Sequence, residues 1–192
     1  MSSIGRRAFA RILLLASGLV LVGACSNDLP TDAKPAEPSQ ASFSFSPTAY
    51  YVIRNVATDK VMDVESAGCC NGYFIHQWTY SGQTNAQWRI EDLGNGYYRL
   101  KARHSGRVAD VRNASLANDA RLHQWGWDGS TNQQFSISFD GSAYNIFARH
   151  SGKAVTVSCG GTPCTITSDG VGIRQYTFSG ANTQRWYIEQ VP

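Results

Sequence analysis

Asp63 stands 15 residues before Trp78, and Trp78 seven before Asn85; the same two intervals separate Asp110, Trp125 and Asn132. The three side-chain types complement one another. An aromatic face lies well against C–H groups, an ionised carboxylate accepts two hydroxyl hydrogens at once, and a primary amide both donates and accepts. A pyranose carries C–H groups on its faces and hydroxyls around its rim, so such a set can grip it by face and edge together. Each residue also has a structural alternative: an indole can be packed inside a β domain, and an Asp ahead of a turn can serve only the turn's own N–H groups. The matched intervals favour binding over these alternatives.

The intervals belong to a longer repeat. Tyr50-Tyr51, Tyr97-Tyr98 and Tyr144-Asn145 open three units, and Met62-Asp63-Val64 returns as Ala109-Asp110-Val111 and Val155-Thr156-Val157. His76-Gln77-Trp78 returns as His123-Gln124-Trp125 and, loosely, as Arg174-Gln175-Tyr176; Trp88, Phe135 and Trp186 close the units. The first two units are offset by 47 residues. The third loses one residue early and gains five around Cys159-Gly160-Gly161-Thr162-Pro163-Cys164, reaching an offset of 51 at Trp186.

Each unit holds four short runs of β-branched and aromatic residues. In the second they are Tyr97 to Ala102, Arg107 to Val111, Arg121 to Trp125 and Gln134 to Ser138, separated by turn signals such as Asp128-Gly129 and Asp140-Gly141. Four strands in three units predict twelve, and no stretch beyond residue 48 keeps a helical period, so the domain is read as all-β.

A threefold repeat of this kind, with Asn132-Gln133-Gln134-Phe135, Thr183-Gln184-Arg185-Trp186 and the partial copy Asn85-Ala86-Gln87-Trp88, resembles the ricin-type β-trefoil lectins, in particular the family 13 carbohydrate-binding modules. The resemblance spans Tyr50 to Pro192. It implies a β-trefoil and carbohydrate-binding sites at Asp63, His76, Trp78 and Asn85 in the first unit and at Asp110, His123, Trp125, Asn132 and Gln133 in the second. His76 and His123 stand where the family often has Gln. Asp128 is a further candidate hydroxyl contact, facing Ser81 in the first unit. The closing aromatics Trp88, Phe135 and Trp186 are expected in the core. Gln133 and Gln184 are expected to brace the sites, and Ala86, in the same place, leaves the first site without that brace. Tyr176 and Gln184 are the candidate contacts of the third unit, where Thr156, Arg174 and Thr183 replace Asp, His and Asn. At least two working sites are therefore expected.

The histidines pair across units, His76 with His123 and His104 with His150, whereas a nucleophile with its own base is expected to be unique in a chain. The two Arg-His-Ser-Gly stretches read as hairpin turns. Asp63 and Asp110 lie in different units and are not expected to converge as a glycosidase pair. The cysteine and histidine spacings are not of zinc type, and nothing implies a cofactor. No enzyme activity is expected.

The first 24 residues carry Arg6, Arg7 and Arg11 ahead of an apolar run of eleven, Ile12 to Val22, too short for a membrane span but suited to a signal peptide. Val22-Gly23-Ala24-Cys25 resembles the lipobox of bacterial lipoproteins, which implies lipidation at Cys25, and Arg6-Arg7-Ala8-Phe9 resembles a twin-arginine signal. Without those three arginines the 17 basic residues fall to 14, equal to the acidic ones, and the balanced charge carries no signature of nucleic-acid binding. Residues 25–48, with Pro30, Pro35, Pro38 and Pro47, read as a disordered linker, and residues 49–192 as one domain.

Four further cysteines would meet an oxidising compartment. Cys159 and Cys164 flank a loop able to turn back on itself and are the first candidates for a disulfide; Cys69 and Cys70 would form a strained vicinal one. The expectation is a monomeric, lipid-anchored lectin of the bacterial envelope, at the outer membrane or cell surface, holding polysaccharide or glycan. The alternatives are a protein-interaction trefoil, the carbohydrate-reading subunit of a toxin-like assembly, or an inert scaffold.

Overall fold

The computed structural model describes residues 44–158 and 166–192. The leader, Cys25 and most of the linker lie outside the described residues, as do Cys159 and Cys164.

The described residues form twelve strands, four in each unit: β1 Tyr51–Asn55, β2 Val61–Val64, β3 Ile75–Trp78 and β4 Trp88–Asp92; then β5 Tyr98–Ala102, β6 Val108–Val111, β7 Ala120–Trp125 and β8 Phe135–Phe139; then β9 Tyr144–Ala148, β10 Ala154–Val157, β11 Ile173–Tyr176 and β12 Arg185–Gln190. The outer strands of each unit close a six-stranded antiparallel ring, in which β1 pairs with β4, β4 with β5, β5 with β8, β8 with β9, β9 with β12, and β12 with β1. Closure leaves no free edge. The inner strands form three hairpins, β2–β3, β6–β7 and β10–β11. This is the β-trefoil.

Alternation along the strands fills the interior. Trp88, Phe135 and Trp186 are fully buried together with Ile53, Met62, Ile75, Leu100, Leu122, Ile146 and Ile173. The two buried indoles do not leave their N–H groups unpaired: Trp88 Nε1 donates to the Met62 carbonyl at 2.9 Å and Trp186 Nε1 to that of Val155 at 3.1 Å.

The domain begins earlier than its polar, proline-bearing approach predicts. Phe45 packs against Tyr51, Tyr98 and Tyr144, with ring centroids 5.5, 5.6 and 6.1 Å away, and the Ser46 N–H donates to the Tyr51 hydroxyl at 2.8 Å. Strand pairing with Trp88, Phe135 and Trp186 gives those tyrosines one position in the three units, which shifts Tyr144 by one residue from the alignment with Tyr50 and Tyr97 read from sequence. Phe45 and Ser46, read from sequence as linker, thus pack on the domain, because one aromatic ring finds an apolar seat that composition alone does not reveal.

The glutamine of the repeated His-Gln-Trp stretch has a structural task. Gln77, Gln124 and Gln175 are buried completely. Gln124 Nε2 donates to the carbonyls of Gly68 and Cys70 at 2.6 and 2.7 Å, Gln175 Nε2 to those of Ser115 and Ala117 at 2.7 and 2.8 Å, and Gln77 Nε2 to those of Ile166 and Ser168 at 2.7 and 2.8 Å. Each glutamine thus clasps a loop of another unit. The Arg-His-Ser-Gly turns reinforce the clasp in two units: His104 and His150 reach the Gly68 and Ser115 carbonyls, while the Ser105 and Ser151 hydroxyls donate to Gln124 and Gln175. The Cys69 and Cys70 of the first clasped loop are exposed free thiols with Sγ atoms 3.6 Å apart. The vicinal disulfide considered from sequence would require these sulfurs to close to bonding distance, and adjacent Cα atoms across a trans peptide stand closer than ordinary disulfide geometry allows.

Candidate functional site

Register brings the site residues together. In β2–β3, Asp63 pairs directly with His76; in β6–β7, Asp110 pairs with His123. Alternation then places Trp78 and Trp125, two residues on, on the face of the histidine. The imidazoles stack on the indoles, with centroids 5.1 Å apart at 22° in the first unit and 5.3 Å at 23° in the second. Short 3₁₀ turns, Thr84–Ala86 and Thr131–Gln133, carry Asn85 and Asn132 to the same place just ahead of β4 and β8.

In the first unit Asp63 is almost wholly buried. Its Oδ1 accepts from His76 Nε2 at 3.0 Å, and its Oδ2 from Asn85 Nδ2 at 2.8 Å and from Gln83 Nε2 at 3.4 Å. In the second unit Asp110 Oδ1 accepts from His123 Nε2 at 2.9 Å and Oδ2 from Gln133 Nε2 at 3.0 Å, while Asn132 donates to the Val111 carbonyl at 3.1 Å. Because a carboxylate oxygen only accepts, each histidine carries its proton on Nε2. A carboxylate has about four acceptor positions, so each retains capacity for a hydroxyl beyond its internal bonds.

The indoles are exposed where the other members are not, at 41% for Trp78 and 39% for Trp125. Each forms one wall of an open hollow. The first is lined by Asp63, Glu65, His76, Trp78, Ser81 and Asn85 among others, the second by Asp110, Arg112, His123, Trp125, Asp128 and Asn132 among others. Each also takes a wall from another unit: Gly170 faces Trp78 and Gly72 faces Trp125. A Cβ on either glycine would stand 4.0 Å from the indole, and the glycines take φ of +85° and +93°. The left-handed turn that brings the wall in suits glycine.

The missing brace of the first unit is supplied from elsewhere. Gln133 donates to Asp110 and to the Gly126 carbonyl while its Oε1 accepts from the Asp128 N–H. Ala86 cannot, but Gln83, three residues earlier, donates to Asp63 and to the Thr79 carbonyl and accepts from the Ser81 N–H. The same bonds are made from a different position, so position-by-position comparison of the units overlooks Gln83.

The third unit is built differently. Gln184 is fully buried, donates to Thr156 Oγ1 and the Thr177 carbonyl, and accepts from Ser179, as a brace does. Tyr176 is only 6% exposed. Its hydroxyl donates to Asp119 Oδ1 at 2.8 Å, and Asp119 Oδ2 accepts from Arg174 Nη1 at 2.9 Å. Tyr176 and Gln184 are therefore inward, bonded residues, without the open aromatic wall of the other two units. Burial, with the Asp119 contact, pushes the Tyr176 phenol up. Among the described residues no three His, Cys, Asp or Glu side chains gather as a metal-binding group.

Comparison with known proteins follows this geometry. A designed threefold-symmetric protein, ThreeFoil, superposes with a TM-score of 0.70 at 41% identity, covering 74% of this chain and 99% of its own. The exo-beta-1,3-galactanase 1,3Gal43A from Clostridium thermocellum superposes with a TM-score of 0.71 at 32% identity over 77% of this chain, but only 31% of that enzyme is covered. The clotting factor G alpha subunit of Tachypleus tridentatus is 38% identical over 51 residues, 27% of this chain and 8% of the subunit. Residues 39–125, 94–166 and 131–192 each match the family described as ricin-type beta-trefoil lectin domain-like, and the chain belongs to that family.

Proposed function

We propose that this protein binds carbohydrate without turning it over, through the hollows of the first and second units. The observation that carries the reading is the repeated pairing of a half-exposed indole, stacked on a histidine, with a buried aspartate that fixes the histidine and opens on the same hollow. A pyranose laid on Trp78 or Trp125 meets the remaining acceptor capacity of Asp63 or Asp110 at its edge. The similarity to a galactanase directs the first search to galactose-containing glycans, and the family resemblance adds xylose-containing ones. Shallow sites of this kind bind weakly one at a time, and two on one domain raise retention of a polymer through effective concentration. The leader and Cys25 complete the reading as an envelope lectin held by lipid on a short linker.

The test is a polysaccharide pull-down and glycan-array screen of the mature chain beside Trp78→Ala, Trp125→Ala and the double variant. Each single substitution should weaken retention and the double one abolish it, with the unfolding transition little changed. Retention that survives in the folded double variant would show that the glycan is held elsewhere.

A further inference from the structure

The two hollows share their aspartate, histidine, indole and asparagine, and differ in charge at two matched places: Asp128 stands in the second where the first has Ser81, and the other is on the rim. Glu65 follows Asp63 by two residues and Arg112 follows Asp110 by two. Each opens a 3₁₀ turn, Glu65–Ala67 or Arg112–Ala114, whose next two residues take left-handed φ values: +56° and +48° at Ser66 and Ala67, +59° and +47° at Asn113 and Ala114. Consecutive left-handed non-glycine residues are uncommon, and their recurrence gives both rims one backbone geometry. The side chain alone changes sign.

Both rim charges face solvent, and Glu65 also acts at longer range on Arg121 across the boundary of the units. Glu65 and Arg112 are both exposed and line their hollows, and among the described residues neither makes a salt bridge. Around Arg112 further positive charge gathers. Phe74, reaching over from the first unit, lines the second hollow; Arg112 Cζ lies 5.7 Å from its ring centroid and Arg121 Cζ 3.4 Å. Burial lowers the Arg121 guanidinium, and the neighbouring Arg174 and Arg112 lower it further, outweighing the opposite pull of Glu65 and Asp119. At the first hollow the wall from the other unit ends in Gly170, and Asp63 and Glu65 face the space with no lysine or arginine among its lining residues. Asp128 adds one negative charge to the second hollow, but from the chain beyond β7, and its Oδ1 accepts the Ser130 N–H within its own turn.

On the reading of these hollows as sugar sites, we infer that the second takes a carboxylate-bearing pyranose, with Arg112 recognising the carboxylate, whereas Glu65 makes the first selective for neutral sugars. A guanidinium presents a planar fork of donors matched to a carboxylate, and bonds of this kind are among the strongest available at a wet surface. Asp128 gives the bound sugar a direction: carboxylate toward Arg112, hydroxyl edge toward Asp128. In the first hollow the same ligand would bring a third negative charge against Asp63 and Glu65.

The probes are galactose and galacturonate oligomers, which differ at C6, titrated into Trp78→Ala to report the second hollow and into Trp125→Ala to report the first. In the Trp78→Ala background galacturonate should bind more tightly than galactose, and Arg112→Gln should reduce that preference about tenfold. In the Trp125→Ala background galactose should be preferred, and Glu65→Arg should move the preference toward galacturonate. Equal preference in the two backgrounds, or a ratio unmoved by Arg112→Gln, overturns the inference while leaving sugar binding intact. If the unsubstituted chain holds neither oligomer nor any glycan of the screen, carbohydrate binding itself fails and the inference falls with it.

Discussion

The third unit and the first two make the same fold and present different surfaces, and besides the replaced aspartate, histidine, indole and asparagine the difference involves one residue of a neighbouring loop. Gly72, Asp119 and Gly170 occupy one place in the three units, and each backbone N–H donates at 2.9 Å to the carbonyl of a clasping glutamine, Gln124, Gln175 or Gln77. Where the residue is glycine, an indole stands exposed beside it. Where it is Asp119, which takes a φ of +67° despite its side chain, the carboxylate reaches Tyr176, Arg174 and Ser158 and knits the place shut. A loop donated by one unit decides whether the site of the next is open. On the proposed reading, the binding unit is the seam between two repeats.

Removing the shared part of the seam should have the largest effect. Gln124→Ala leaves the Cys70 carbonyl without its side-chain donor and the Gly68 carbonyl with His104 alone, and Gln175→Ala does the same to Ala117 and, with His150, to Ser115; each should cost about 2–3 kcal/mol in urea unfolding. Gln77→Ala should cost about 1 kcal/mol less, because Gln77 Oε1 has no partner among the described residues whereas its counterparts accept from Ser105 and Ser151. Equal losses at all three would show that the serines contribute nothing to the clasp.

Next in size is the exchange of roles between Trp125 and Tyr176. Trp125→Ala should lose about 1–2 kcal/mol of glycan affinity with little change in stability, the ring being packed on one side only. Tyr176→Ala should do the reverse, lowering stability by about 2–3 kcal/mol, since it empties a filled place and strips Asp119 of a donor, while titration gives an unchanged affinity.

Asp119→Gly sharpens the comparison at its origin. It removes a partly exposed ion pair with Arg174 and relieves a positive φ, so the two effects oppose and the net loss should be about 1 kcal/mol. The place should open, yet the stoichiometry of glycan titration should stay at two, because Thr156 and Thr183 supply neither carboxylate nor amide. A stoichiometry of three would show that the aromatic ring suffices.

The smallest effect separates the first unit from the second through pH. Burial pushes the Asp169 carboxyl up, but hydrogen bonds from Lys60 and Thr79 and the charge of Lys60 outweigh it and hold the group below the ordinary carboxylate range. A carboxyl depressed in the folded state stabilises fully above its ordinary value and loses that contribution as pH falls through the depressed one. Asp169 precedes Gly170, so the wall of the first hollow should loosen in acid before that of the second. Calorimetric titration near the lower limit of carboxylate ionisation should show galactose affinity falling more in Trp125→Ala than in Trp78→Ala, and Asp169→Asn should abolish the difference.

Much of this was legible in the repeat. The strand limits read from sequence in the second unit fall within one residue of those observed, because alternation and turn residues are local signals. The matched intervals of Asp63, Trp78 and Asn85 were legible too, since an unchanged hairpin register forces unchanged spacing. Gln83 was not, because its bonds to Asp63 and Thr79 match those of Gln133 only in space. Phe45 was missed for a related reason: a single ring in a polar approach carries no periodicity.

By itself, the sequence determined the threefold architecture, the closing aromatics of the core and the residues able to meet a sugar, because those depend on periodicity along the chain. Only the tertiary structure decided which hollows stand open, which glutamine braces each aspartate and what the glutamine of His-Gln-Trp is for. The braces act within a unit, Gln83 reaching back 20 residues to Asp63, and the other outcomes rest on contacts between units more than 50 residues apart, such as Gln124 with Gly68 and Arg174 with Asp119. No local pattern records which loop a closed barrel will lay against which strand.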